Sequence, residues 1–327
     1  MSKTISRLAL SALLFALSLP ARAQQPSKVA SIGYLASGAL SAETERTEAL
    51  RQGLRELGYA EGKNITIEWR FAEGKLDRYP ALAVELVNLK VDVIVTAGGA
   101  ATRTAKQATS TIPIVMAQDP DPIGSGFVAS LARPGGNITG LSALAPELNG
   151  KRLELLKEII PKLSRVAVLW SSTQPGNAQS LKELELAAKA FGVKLQYLDV
   201  ISPKDIETAF QAAKKARADA VLTLTSAILT RHRSEIAELA LKHRLPATHG
   251  FSSFAEDGGL MFYGPNVVDL TRRAATYVDK ILKGAKPAEL PVEQPKKFEF
   301  IINLKAAKQI GLTIPPNVLA RADRVIK

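Results

Sequence analysis

The sequence predicts an α/β protein of two similar lobes, each a parallel sheet covered by helices on both faces. Strand-like apolar runs alternate with helical periodicity along the chain, the pattern of right-handed βαβ units. The order βαβαβαβ then appears twice, with local echoes: Asp92-Val-Ile-Val-Thr96 against Asp219-Ala-Val-Leu-Thr223, and Ile112-Pro-Ile114 against Leu245-Pro-Ala247. The length of 327 residues suits two domains, and 46% hydrophobic with 23% charged residues suits a chain with a sizeable core.

The first unit opens with Val29 to Leu35, a buried-strand pattern. Leu50, Leu54 and Leu57 then fall on one face of a helix that ends at Gly58, where a left-handed cap is needed. Asn64 to Phe71 alternates as a strand, Leu76 to Leu89 reads as a helix and Val91 to Thr96 as a second apolar strand. A helix from about Ala100 to Ala108 and the strand Ile112 to Met116 complete the set.

The second unit starts at the strand Arg165 to Trp170. The helix Leu181 to Phe191 ends at Gly192, and the strand Val193 to Val200 follows. Ser202-Pro203 offers an N-cap and a first-turn proline for the helix to Arg217. Ala220 to Thr225 is a strand, Arg231 to His243 a helix, and Leu245 to Thr248 the start of another strand. A helix from about Val268 to Lys283, a Pro-broken linker, the strand Phe298 to Asn303 and a closing helix finish the chain. This tail is too small for a third domain and is expected to return to both lobes. The turn formers of Arg133 to Gly140 mark the junction. The expected division gives 28–138 with about 265–290 to the first lobe, and 139–264 with about 291–327 to the second.

The first 23 residues read as an export signal. Lys3 and Arg7 precede the apolar run Leu8 to Leu19, and Ala21-Arg22-Ala23 supplies small residues for cleavage. The run is too short to span about 30 Å of hydrocarbon. Without cysteine there is no site for a lipid anchor, a disulfide or a thiolate metal site. The mature protein is therefore expected in the periplasm, cleaved near Ala23 and not a lipoprotein. The basic balance, 43 Lys and Arg against 31 Asp and Glu, is spread along helices among acidic residues, as at Lys182-Glu183 and Arg233-Ser-Glu235. That distribution describes solvated faces and not a nucleic-acid surface.

A search for catalytic chemistry finds little. No G-x-G-x-x-G, G-x-x-x-x-G-K-[ST], G-x-S-x-G or H-E-x-x-H pattern occurs. His232 and His243 lie about three turns apart on one predicted helix, too far to share a metal. Asp119-Pro-Asp121-Pro reads as a rigid turn. No catalytic residue, metal site or cofactor is expected.

Small and polar residues instead gather at the C-terminal ends of the strands, the edge where open α/β sheets bind ligands. They are Ser37, then Gly98, Gly99 and Ala100 opening a helix, then Ser171, Ser172 and Asn177, then Thr225 and Ser226. Asp121, Phe251 and Tyr263 complete the candidate binding set. Helix-start N–H groups attract a carboxylate or phosphate, and Phe251, Phe254 or Tyr263 could face an aromatic part of a ligand. Such a cleft binds a small molecule without reacting with it.

Several motifs in order resemble the substrate-binding proteins of one ABC transporter family. They are Arg51 to Asn64, Val91 to Val95, Ile112 to Val115, Asp121 to Gly126, Pro134 to Gly140, Gly150 to Leu156, Gly258 to Gly264 and Pro287 to Pro316. The resemblance implies the type I periplasmic-binding-protein fold: two Rossmann-like lobes joined by a hinge of three crossovers, with a ligand closed between them. It also implies a receptor that delivers its ligand to an inner-membrane ABC permease with its ATPase subunit; a monomer is expected. Better-studied members bind tryptophan or related aromatic amino acids through a Gly-Thr-Pro-Ala-Ala type turn. Here that turn is Gly98-Gly99-Ala100-Ala101, without the Thr and Pro. Three other readings compete: a receptor reporting to a membrane sensor, a secreted α/β enzyme, and a repressor, which would need a helix-turn-helix where the export signal stands.

Overall fold

The computed structural model describes residues 29–327 apart from Pro175; the expected export signal lies outside the described residues. Two sheets form, and the first repeats in the second. In the first, β1 (Ala30–Ala36), β2 (Ile65–Phe71), β3 (Val93–Ala97), β4 (Ile114–Asp119) and β5 (Ile138–Ser142) lie in the order β2-β1-β3-β4-β5. The second contains β6 (Arg165–Trp170), β7 (Lys194–Asp199), β8 (Ala220–Thr223), β9 (Ala247–His249), β10 (Met261–Pro265), β11 (Phe298–Asn303) and β12 (Arg324–Ile326). Its order, β7-β6-β8-β9-β10-β11-β12, begins with the same arrangement.

The echo at Asp92 and Asp219 has a physical cause. Asp92 accepts a hydrogen bond from the backbone N–H of Ser31 at 2.9 Å, tying the start of β3 to β1. Asp219 accepts from Ser164 and Arg165 at 2.8 and 2.9 Å, tying β8 to β6 in the same way. Burial of both faces explains the continuous apolar runs: Val93 to Ala97 and Ile114 to Asp119 are buried throughout.

The second sheet is mixed, not wholly parallel. β11 runs antiparallel to β10, and β12 parallels β11. The reversal follows from the route of the tail, which comes back to this sheet only after helix α10 (Val267–Leu282) has packed on the first lobe. There α10 lies against α1 (Thr44–Glu56). Gly53 admits this contact, since a Cβ on it would fall 2.3 Å from the Arg272 carbonyl oxygen.

The chain crosses between sheets three times: after Ser142, after Pro265, and between Glu293 and Phe298. Glu293 belongs beside the first sheet, donating to the Gly140 carbonyl and accepting from the N–H of Ser142. These crossings sit a few residues beyond the expected 138 and 290.

The remaining helices are α2 (Tyr79–Asn88), α3 (Gly99–Ala108), α4 (Ala145–Ile159), α5 (Asn177–Phe191), α6 (Lys204–Lys215), α7 (Ala227–Arg231), α8 (Arg233–Lys242), α9 (Ser253–Glu256), α11 (Leu304–Ile310) and α12 (Pro316–Leu319). Two local expectations need correction. The predicted helix Arg231 to His243 is broken at His232, which caps both α7 and α8. Ser202 is not an accepting N-cap; its N–H and hydroxyl both donate to Asp205, whose carboxylate sits in the first turn of α6. Among the described residues, no helix is long and apolar enough to cross a membrane.

Candidate functional site

A cavity of about 880 Å³ lies between the two sheets at the C-terminal ends of their strands. That volume falls within the roughly 300–1,000 Å³ of small-molecule sites. The first lobe gives it the turn after β1, the start of α3 and the end of β4; the second gives the turns after β8 and β9.

Seven predicted residues line this cavity: Ser37, Gly98, Gly99 and Ala100 on one wall, Thr225, Ser226 and Phe251 on the other. At the start of α3, Gly98 takes φ +95°, a left-handed conformation that favours glycine. Its own N–H donates to the Gln118 carbonyl at 3.0 Å, which fixes the turn. No side chain caps α3, so its first N–H groups remain available at the cavity edge. The Ser226 hydroxyl is already engaged, accepting from the N–H of Leu229 at 3.3 Å.

The other predicted residues lie elsewhere. Ser171, Ser172 and Asn177 build a turn that satisfies itself. The Asn177 amide donates to the Ser171 carbonyl at 2.8 Å, the Ser171 and Thr173 hydroxyls pair, and the Ser172 N–H donates to Asp199. Gln174, from the same turn, is the residue that reaches the cavity. Asp121 holds its own turn by accepting from Gly124 at 2.9 Å and abuts Gly176 of the second lobe. Tyr263 faces the tail, its ring stacked 6.2 Å from Phe298. Phe254 is fully buried in the core of the second lobe.

Charged residues that the sequence reading missed border the cavity. Arg46 makes hydrogen bonds of 3.2 Å to both carboxylate oxygens of buried Glu43, and its guanidinium lies 6.0 Å from the Phe251 ring of the other lobe. Beside them the Tyr34 hydroxyl is buried, and burial together with Glu43 raises its pKa well above the ordinary tyrosine value. Across the mouth, the Arg231 Nη1 donates to the Gly74 carbonyl at 2.5 Å, a direct bond between lobes. Replacing Arg231 by Ala removes this charge-assisted bond between the lobes. Ligand affinity is expected to fall about three- to tenfold through a shifted opening equilibrium, as read by calorimetric titration.

Two buried ionisable groups near the site set opposite pH dependences. Burial raises the Asp119 pKa from 3.8 to about 7, so its contribution to stability is complete below pH 4 and is lost as pH rises through 7. Burial, aided by the charges of Arg152 and Arg233, lowers the His249 pKa from 6.5 to about 3. Its contribution is present above pH 6.5 and is lost as pH falls towards 3. Asp119→Asn should therefore gain stability over the wild type as pH rises from 4 to 8, and His249→Phe should lose the decline below pH 6.5. Thermal midpoints across that range check both signs.

The family model described as ABC transporter substrate binding protein matches residues 37–326. The chain belongs to this family. It is 24% identical over 261 residues to a tyrosine-binding protein of Clostridioides difficile, covering 80% of this chain and 75% of that one. A conserved domain protein from Vibrio cholerae has a solved structure that matches with TM-score 0.85 and 30% identity, over 91% of this chain and all of that one. An ABC domain from Streptococcus pneumoniae, solved in complex with L-Trp, matches with TM-score 0.84 and 27% identity, over 91% and 99% of the two chains. The two-lobed arrangement is thus that of the periplasmic binding proteins.

Proposed function

We propose that this substrate-binding protein captures a small carboxylate-bearing solute, an amino acid or aromatic compound, between its lobes and delivers it to a membrane permease. The observation that carries this reading is the interlobe cavity itself, walled by strand ends of both sheets and by the uncapped start of α3. A ligand there touches both lobes only when they are closed, so it stabilises the closed form. Support for the ligand class comes from the relative named for tyrosine and the neighbour solved with L-Trp. Export to the periplasm and hand-over to a permease powered by its ATPase subunit rest on the family and on the N-terminal segment.

A thermal-shift screen of the purified protein against amino acids, aromatic acids, short peptides and sugars tests this. Binding to the native state alone adds about 2.7 kcal/mol at a hundredfold excess over Kd. A saturable shift confined to amino or aromatic acids supports the reading. A shift with sugars alone, or none across the library, contradicts it.

A further inference from the structure

Among the described residues Arg152 is the largest fully buried side chain, 1% exposed, and it has no acidic partner. It projects from α4, the helix that follows the first crossing between the lobes. Its Nε donates to the Tyr263 carbonyl at 2.8 Å and Nη1 to the Asn149 side-chain oxygen at 2.7 Å. Both acceptors are neutral. The neighbouring Lys151 takes Glu154 on the outer surface and leaves nothing for Arg152. A buried guanidinium without an anion carries a desolvation penalty that two neutral acceptors only partly offset.

The unused end of this guanidinium, Nη2, lies between two glycines. A Cβ on Gly250 would fall 3.5 Å from it and one on Gly264 3.4 Å. A Cβ on Gly250 would also meet the Thr225 hydroxyl at 2.7 Å, so that side chain would have to turn aside. Beside Arg152 is a second cavity of about 30 Å³, room for a carboxylate group or a water or two. Its walls include Gly98, Gln118, Pro120, Thr225 and Phe251, all of which also line the large cavity. The small cavity is therefore the floor of the large one. Gly98, at the uncapped start of α3, comes from the first lobe, and Arg152 comes from the second.

We infer that Arg152 is a ligand-binding residue: it receives a carboxylate lowered from the interlobe cavity onto the floor between it and the start of α3. This rests on the reading of that cavity as a ligand site and names the group of the ligand that reaches deepest. The anion neutralises the buried guanidinium through charge-assisted bonds and meets the α3 N–H groups on its other side. One carboxylate thereby joins the two lobes, and closure becomes dependent on it.

The test uses wild type, Arg152→Met and Arg152→Gln; the glutamine variant keeps an N–H donor without the charge if the methionine variant fails to fold. Thermal midpoints are compared in sodium formate and in sodium chloride at equal concentration. L-tryptophan and L-tyrosine are then titrated beside tryptamine and tyramine, which lack the carboxylate. Formate should raise the wild-type midpoint over chloride and leave both variants unmoved. Affinity for the amino acid that binds should fall about 10- to 100-fold in the variants, with the matching amine equally weak in all three proteins. An equal formate effect in all three proteins, or equal losses for amino acid and amine, overturns the inference and leaves Arg152 as a brace for the Tyr263 carbonyl. A formate effect specific to wild type with no response to either amino acid upholds Arg152 as an anion anchor and counts instead against the proposed ligand class.

Discussion

The double variant Asp121→Cys, Gly176→Cys is expected to close an interlobe disulfide on oxidation and to stop ligand exchange. A Cβ on Gly176, in the second lobe, lies 3.2 Å from the Asp121 Cβ in the first. Disulfides place these atoms about 3.5–4.5 Å apart, so a small outward shift suffices. The chain has no cysteine of its own, so no competing pair exists. Oxidised protein should take up ligand on the order of 100-fold more slowly or worse, because the open form that admits it is no longer populated. A thiol reductant should restore exchange. Rapid exchange in the oxidised protein, measured by stopped-flow competition, would mean that the cavity fills without hinge opening. Some stability is lost in both redox states, since Gly176 sits at φ +80° and Asp121 caps its own turn.

A large loss of stability is expected from Gly53→Ala. The added methyl would sit 2.3 Å from the Arg272 carbonyl oxygen and 2.8 Å from the Ala275 Cβ, so α1 must move off α10. Backbone cannot yield as a side-chain tip does, and a cost of about 3 kcal/mol or more follows. Gly62→Ala is the matched control. Gly62 has φ +80° with nothing near its missing Cβ, so the change costs only the backbone preference, about 1 kcal/mol. Urea unfolding of the two variants should separate them clearly; similar midpoints would show that the α1–α10 contact is not tight in solution.

The fold was legible because its signals are local and repeated. Apolar runs are continuous where a strand is buried on both faces, and Gly58 and Gly192 stand in left-handed conformations where their helices end. The antiparallel β11 was not legible, since its direction depends on where the tail crosses back, and a strand reads alike in either direction. At the site, the turns after strands were found because Gly, Ser and Thr recur there whatever the lobe. Ser171, Ser172 and Asn177 carry that same signal, yet their polar groups are spent on one another, which only coordinates reveal. Tyr263 turns its ring to Phe298 and to the core that α4 packs on, while its carbonyl serves Arg152. The arginines were missed for a related reason. On a helix, Arg46, Arg152 and Arg231 look like any solvated residue, and their burial or bridging is a product of how the lobes meet.

Hydrogen–deuterium exchange tests the central claim most directly, comparing free protein with protein saturated by the compound that gives the largest thermal shift. Capture between the lobes predicts slower exchange in both walls together: the turns around Ser37 and Gly98 in the first lobe, and those around Thr225 and Phe251 in the second. Protection confined to one lobe, or lying away from the strand ends, would contradict it.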